Sequence, residues 1–333
     1  MRRREFMTLI GGAVVAWPLA ARAEQMAAPV IGFLDPRSPD AVMDRLAVTD
    51  RLREFRLGLK ESGYVEGENV TIVYRWAENR NDRLSELATE LARRQVAAIV
   101  ASGPVAALAA KAATTSIPII FSVADDPVRL GLVTSLSRPN GNITGFNALN
   151  AEVAAKRLEL LRELLPGANR IAVLLNPAYG TMTETQMKDV SAAARAMGLQ
   201  IQVLNADTVA EIDAAFETMG RLRPDAVFVS ASAFLNGRRL QLAQLAAFHR
   251  LPATYASREY TEAGGLMSYG SDSVDAYRQI GAYAGRILKG VKLADLPVAQ
   301  ANKLELIINA QTARMLGLTV PPSLLARADE VIE

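Results

Sequence analysis

One histidine and no cysteine in 333 residues restrict the available chemistry at once. His249 sits in Ala246-Ala247-Phe248-His249-Arg250-Leu251-Pro252, at the closing turn of a helical stretch, where the helix dipole favours a cation. A structural role is the expectation there. Cys–His catalysis and the common zinc sets lack ligands, and a Ser-His-Asp triad would have to use His249. The chain contains no phosphate loop, GxGxxG run or GxSxG elbow. No catalytic residue, metal site or cofactor is therefore expected. Hydroxyls, amides and aromatic rings instead follow the apolar runs: Ser38, Trp76, Ser102, Gly103 and Asp126 in the first half, then Asn176, Tyr179, Ser230, Ser232, Tyr255, Glu259 and Tyr269. Such groups hydrogen-bond a small polar solute without reacting with it.

Several of these residues have two readings. Ser102-Gly103-Pro104 opens an alanine-rich helix, so free backbone N–H groups and the dipole would form an anion seat, or Ser102 would simply cap the helix. Asp126-Pro127 either receives a ligand ammonium or caps the turn that Pro127 sets. Asn176-Pro177 either donates to a carboxylate or shapes a turn, and Ser230 and Ser232 either bind ligand or cap a turn. Trp76 would stack on a planar ligand or pack beneath an edge helix.

The elements that must position these residues are short β-branched runs alternating with longer helical patterns, the form of a parallel sheet covered on both faces. The first set comprises Val30 to Leu34, Val70 to Trp76, Ala97 to Ala101, Ile117 to Phe121 and Ile143 to Phe146. The second runs Arg170 to Leu175, Leu199 to Leu204, Ala226 to Ser230, Ala253 to Tyr255 and Leu266 to Tyr269, and Leu304 to Ile308 adds a late strand. Leu52, Phe55 and Leu59 mark a helix over 50–62, and Tyr277, Ile280, Ala284 and Ile287 mark one over 274–289. In doubly wound sheets the ligand crevice lies beyond the carboxyl ends of the strands, where the polar residues fall. The expected fold is α/β: two doubly wound parallel-sheet lobes joined by a multi-strand hinge. Residues 24–147 with about 272–298 would form the N-terminal lobe, and 148–271 with about 299–333 the C-terminal lobe. A hinge of several crossings permits closure around a ligand.

Residues 1–23 read as a cleavable signal: Arg2, Arg3 and Arg4, an apolar run from Phe6 to Ala21, and the small-x-small site Ala21-Arg22-Ala23. Arg3-Arg4-Glu5-Phe6-Met7 is similar to the twin-arginine export consensus, with an ordinary secretory signal carrying a chance arginine pair as the alternative. Cleavage after Ala23 would release a periplasmic protein. Its loss removes four arginines and one glutamate, leaving 33 basic and 34 acidic residues, a net charge of −1. A near-neutral body argues against nucleic acid. No later stretch suits a membrane span of about 20 residues, so no stable membrane insertion is expected. Without disulfides, stability must come from the core, and a chain half apolar supplies one for two domains.

Seven segments carry a family resemblance: Gly63-Tyr64-Val65-Glu66-Gly67-Glu68-Asn69, Tyr74-Arg75-Trp76-Ala77, Ile117-Pro118-Ile119-Ile120-Phe121, Asp126-Pro127-Val128-Arg129-Leu130-Gly131-Leu132-Val133, Asn142-Ile143-Thr144-Gly145, Gly264-Gly265-Leu266-Met267-Ser268-Tyr269-Gly270 and Ala294-Asp295-Leu296-Pro297-Val298. In this order, over nearly all of the chain after the signal, it resembles the ABC transporter substrate-binding family of the type I periplasmic-binding fold, related to the tryptophan and tyrosine transport binding proteins. The resemblance implies a non-enzymatic clamp with a small-molecule ligand and an ABC transporter permease as partners, and a monomer is expected. With the helix-terminus seat and the aromatic residues, it points to a carboxylate-bearing ligand, an aromatic or branched amino acid or an aromatic acid. A ligand-sensing module for a receptor and a two-lobed α/β isomerase are the rival readings.

Overall fold

The computed structural model describes residues 28–38, 42–149, 153–179, 181–271, 273–301 and 303–333. The expected signal segment, with Arg3, Arg4, Trp17 and Ala23, lies outside the described residues. The first half runs β1 (Val30–Asp35), α1 (Val42–Glu61), β2 (Thr71–Trp76), α2 (Leu84–Arg93), β3 (Ala98–Ser102), α3 (Pro104–Ala113), β4 (Ile119–Val123) and β5 (Ile143–Asn147). The second begins with α4 (Ala154–Leu164), β6 (Arg170–Leu175), α5 (Thr181–Ala196), β7 (Gln200–Asn205), α6 (Val209–Leu222) and β8 (Ala226–Val229). It continues with α7 (Ala233–Gly237), α8 (Arg239–Phe248), β9 (Ala253–Tyr255), α9 (Arg258–Glu262) and β10 (Met267–Ser271). The tail adds α10 (Ser273–Leu288), β11 (Ala299–Gln300), β12 (Leu304–Asn309), α11 (Ala310–Met315), α12 (Pro322–Leu325) and β13 (Glu330–Ile332).

These strands form two sheets, ordered β11-β5-β4-β3-β1-β2 and β13-β12-β10-β9-β8-β6-β7. Every pair is parallel except β10 with β12, which runs antiparallel. Burial explains the sequence pattern: β3 and β5 are buried at all five positions because helices cover both faces, whereas the edge strand β7 is largely exposed. The order 2-1-3-4-5 places a topological switch between β1 and β3, and its counterpart between β6 and β8 in the second sheet. Helix α1 begins at Val42, earlier than the apolar spacing predicts, since no glycine or proline stops it before Gly58.

The chain passes from the first sheet to the second between β5 and α4, returns between β10 and α10, and passes over again between β11 and β12, three crossings in all. Ala299 and Gln300 still pair with Phe146 and Asn147, so the first sheet extends past residue 298. Helix α10 packs on α1, and Tyr277, Ile280, Ala284 and Ile287 all join the core between these helices and the sheet. The two helices meet backbone to backbone: a Cβ on Gly58 would overlap the Arg278 carbonyl oxygen, and one on Gly281 would overlap that of Phe55. No helix among the described residues is long and apolar enough to cross a membrane.

Candidate functional site

A cleft separates the two lobes at the carboxyl ends of their strands. The first lobe contributes Arg37 after β1, Ser102-Gly103-Pro104 after β3, Ser122 to Asp125 after β4, Arg51 from α1 and Tyr277 from α10. The second contributes Asn176 after β6, Thr183 and Gln186 from α5, Ser230 to Ser232 after β8, and Asn236, Ser257 and Tyr260.

Arg37 is held rigidly. Its main-chain N–H and its Nε donate to Asp35 Oδ1 at 2.9 and 2.8 Å, and its Nη2 reaches both Asp35 Oδ2 and Ser102 Oγ, the latter at 2.9 Å. Burial works against the guanidinium's charge, but the charge and hydrogen bonds of Asp35 outweigh it and raise its pKa. The Ser102 hydroxyl also bonds the Tyr277 hydroxyl, whose pKa burial raises against the opposing pull of Arg37. Ser102 therefore does not cap α3. The N-cap is Gly103, at φ 84°, where only glycine is unstrained, and no side chain caps the helix. Pro104 fills the first helical position, so the first N–H groups of α3 remain without a side-chain acceptor beside the cleft.

Arg51 sits 5.6 Å over the Tyr277 ring and is 8% exposed. Its Nε has no hydrogen-bond partner, and no described residue forms an ion pair with it. This buried cation and the α3 terminus are linked through Tyr277 and Ser102. Across the cleft Gln186 Nε2 donates to Ala231 O at 3.1 Å and to Asp125 Oδ1 at 3.4 Å, joining the lobes. Behind the second wall lies Arg157, 1% exposed, 4.1 Å over Phe228 and bonded through Nη2 to Val229 O at 3.0 Å; burial pulls its pKa down to about 9.

Of the predicted residues, Ser102, Gly103, Asn176, Ser230 and Ser232 line this cleft. Asn176 also shapes its turn, with Nδ2 donating to Ala206 O at 2.9 Å and Asp207 Oδ1 at 2.6 Å, and Ser232 caps α7 by accepting from the Leu235 N–H at 3.1 Å. Asp126 does not line it: its Oδ1 accepts from the Val128 N–H at 2.8 Å, the turn-capping reading, and the adjacent Asp125 faces the cleft instead. Trp76 stacks on Tyr74, with centroids 6.0 Å apart and planes 7° from parallel, and is half-buried against the core cluster that α1 and α10 share with the sheet. Tyr255 is fully buried against Tyr260, centroids 4.4 Å apart, and Tyr269 packs on the second lobe's core. Both side chains point to a sheet face that a helix covers. Ser38 and Glu259 are half-buried and lie outside the cleft lining. Tyr179 falls in the short 3-10 turn Pro177–Tyr179, and its side chain lies outside the described residues.

The residues missed by sequence reasoning come mainly from helices. Arg51, Gln186, Tyr260 and Tyr277 enter through the docking angles of α1, α5, α9 and α10, for which a single sequence carries no signal; Arg37, Asp125 and Ser257 stand within the strand-end segments. His249 ends α8 with its ring 6.2 Å from that of Phe216, remote from the cleft lining. Among the described residues no cluster of three or more His, Cys, Asp or Glu side chains could hold a metal.

A family model described as ABC transporter substrate binding protein matches residues 45–332. A tyrosine-binding protein of Clostridioides difficile is 26% identical over 265 residues, covering 79% of this chain and 75% of that protein. Among solved structures, a conserved domain protein of Vibrio cholerae superposes with a TM-score of 0.82 at 26% identity, covering 91% of this chain and 99% of that one. An ABC domain from Streptococcus pneumoniae in complex with L-Trp superposes at 0.80 with 25% identity and the same coverage.

Proposed function

Because the chain belongs to the ABC transporter substrate-binding protein family, whose role is capture rather than catalysis, we propose that it closes its two lobes on a small carboxylate-bearing solute and presents that solute to a membrane permease. Arg51 carries the reading. Among the described residues no anion pairs with this buried guanidinium and its Nε is unpartnered; a buried unpaired cation costs several kcal/mol of desolvation, and a ligand carboxylate beside the open α3 terminus would supply a partner. Amino acids are the leading ligand class, since one relative is named for tyrosine and one similar structure holds L-Trp. The described walls combine Pro104, Val123, Ala124, Ala148 and Ala231 with the rings of Tyr260 and Tyr277, while Trp76, Tyr255 and Tyr269 do not line them, so branched or aromatic side chains would rest on small apolar groups and these two tyrosines. Export through the twin-arginine route, cleavage after Ala23 and action as a periplasmic monomer complete the reading. Mass spectrometry of the natively purified protein tests it: a bound small acid is expected, and a solute without a carboxylate would remove Arg51 from its role.

A further inference from the structure

The two walls of the cleft differ in kind. The first-lobe wall holds the charges, Arg37, Arg51 and Asp125, whereas the second-lobe wall has amides and hydroxyls and no charged side chain among the described lining residues. In that neutral wall one atom stands out. Asn176 is 2% exposed, and its Oδ1 has no hydrogen-bond partner among the described residues. The amide cannot be turned round to relieve this, because its Nδ2 faces the Ala206 carbonyl and the Asp207 carboxylate, both of which only accept. Asp207 Oδ1 also takes the Ala178 N–H at 2.9 Å, and the Asn176 carbonyl takes Thr183 Oγ1 at 2.7 Å, so the residue is tied on every other side. A buried acceptor left unmade is rare in native proteins and marks a missing donor.

We infer that Asn176 is the specificity-determining acceptor of the second lobe: its Oδ1 takes an N–H hydrogen bond from the ligand's ammonium group, so that the cleft separates amino acids from carboxylic acids lacking the amine. The inference rests on the carboxylate reading of Arg51 and adds to it. A ligand held first by its carboxylate on the charged wall meets Asn176 only when the lobes close, and a ligand without a donor leaves that oxygen buried and unpaired. Sites built to hydrogen-bond a group reject analogues without it far more strongly than apolar pockets reject a missing methylene.

Isothermal titration calorimetry on mature protein, freed of carried-over solute by unfolding and refolding, provides the test. The probes are L-tyrosine, L-tryptophan and L-leucine, each beside its desamino acid: 3-(4-hydroxyphenyl)propanoate, 3-(indol-3-yl)propanoate and 4-methylpentanoate. At least one amino acid is expected to bind about 30-fold or more tightly than its desamino partner. In Asn176→Leu, close in shape, and in Asn176→Ala, that ratio should fall to about 3-fold or less through loss on the amino-acid side alone. Equal binding of a pair by the unsubstituted protein overturns the inference and leaves the carboxylate reading intact. Variants that weaken both members equally show a structural role and also overturn it. Binding of neither class removes the inference together with the reading beneath it.

Discussion

Replacing Arg51 by methionine separates ligand binding from stability. Methionine keeps the length and much of the volume of the arginine stem but removes the charge and its donors. A hydrogen bond to a charged group is worth about 1.5–3 kcal/mol, and each 1.4 kcal/mol is tenfold, so affinity for a carboxylate ligand should fall about 10- to 150-fold. Stability should hardly change. The substitution loses the contact over Tyr277, about 0.5–2 kcal/mol, and relieves the burial of a cation that has no described anion, an opposing effect of similar or larger size. The melting temperature of ligand-free protein should then stay within about 3 °C. Calorimetric titration with the solute identified by mass spectrometry gives the first quantity, and differential scanning calorimetry of the stripped protein gives the second. Undiminished affinity, or a melting temperature lower by more than about 6 °C, would show that Arg51 serves the α1–α10 interface and not the ligand.

Three further outcomes are expected. Gly58→Ala should destabilise the protein by about 3 kcal/mol, because the new methyl meets the Arg278 backbone oxygen, which cannot retreat, while Gly167→Ala, with open space around it, should be close to neutral in the same urea titration. In protein prepared from residue 24 onward Trp76 is the sole tryptophan, and since it packs on Tyr74 and Phe33 its emission should stay nearly constant through a ligand titration; a saturable quench would place it in the cleft. Changing Arg3 and Arg4 together to lysine should leave folded protein in the cytoplasm, and normal periplasmic recovery would exclude the twin-arginine route.

The fold was legible because its strands are buried on both faces and so appear as unbroken apolar runs: Arg170–Leu175 and Ala253–Tyr255 have the boundaries expected, and others shift by a residue or two. The return of the chain to the first sheet at β11 was less legible, since two residues of pairing leave almost no pattern. In the site, the rule that ligands sit beyond strand ends found Ser102, Gly103, Asn176, Ser230 and Ser232. It could not say which way a strand's last side chain turns. Trp76 and Tyr269 point into helix-covered faces, and the difference between Asp125 and Asp126 is one residue of turn geometry. Arg51 and Tyr277 were beyond reach for another reason. Both lie on helices whose sequence pattern reports burial, and burial in a core and burial in a cleft look alike at the level of residue type.

The glycine contact between α1 and α10 also bears on how this chain is made. The helix that covers Phe55 and Leu59 is α10, and it begins only at Ser273, so 272 of 333 residues must be synthesised before the helix that seals the first sheet exists. Until then α1 alone covers that face of the five-stranded N-terminal sheet, a high-contact-order arrangement that folds slowly and attracts chaperones. Gly58 and Gly281 let the two helices meet backbone to backbone at the crossing. A lobe completed so late suits a protein whose proposed export machinery accepts only finished structures, and truncation after Ser271 should convert it from a soluble product into an aggregate, as judged by its partition on centrifugation.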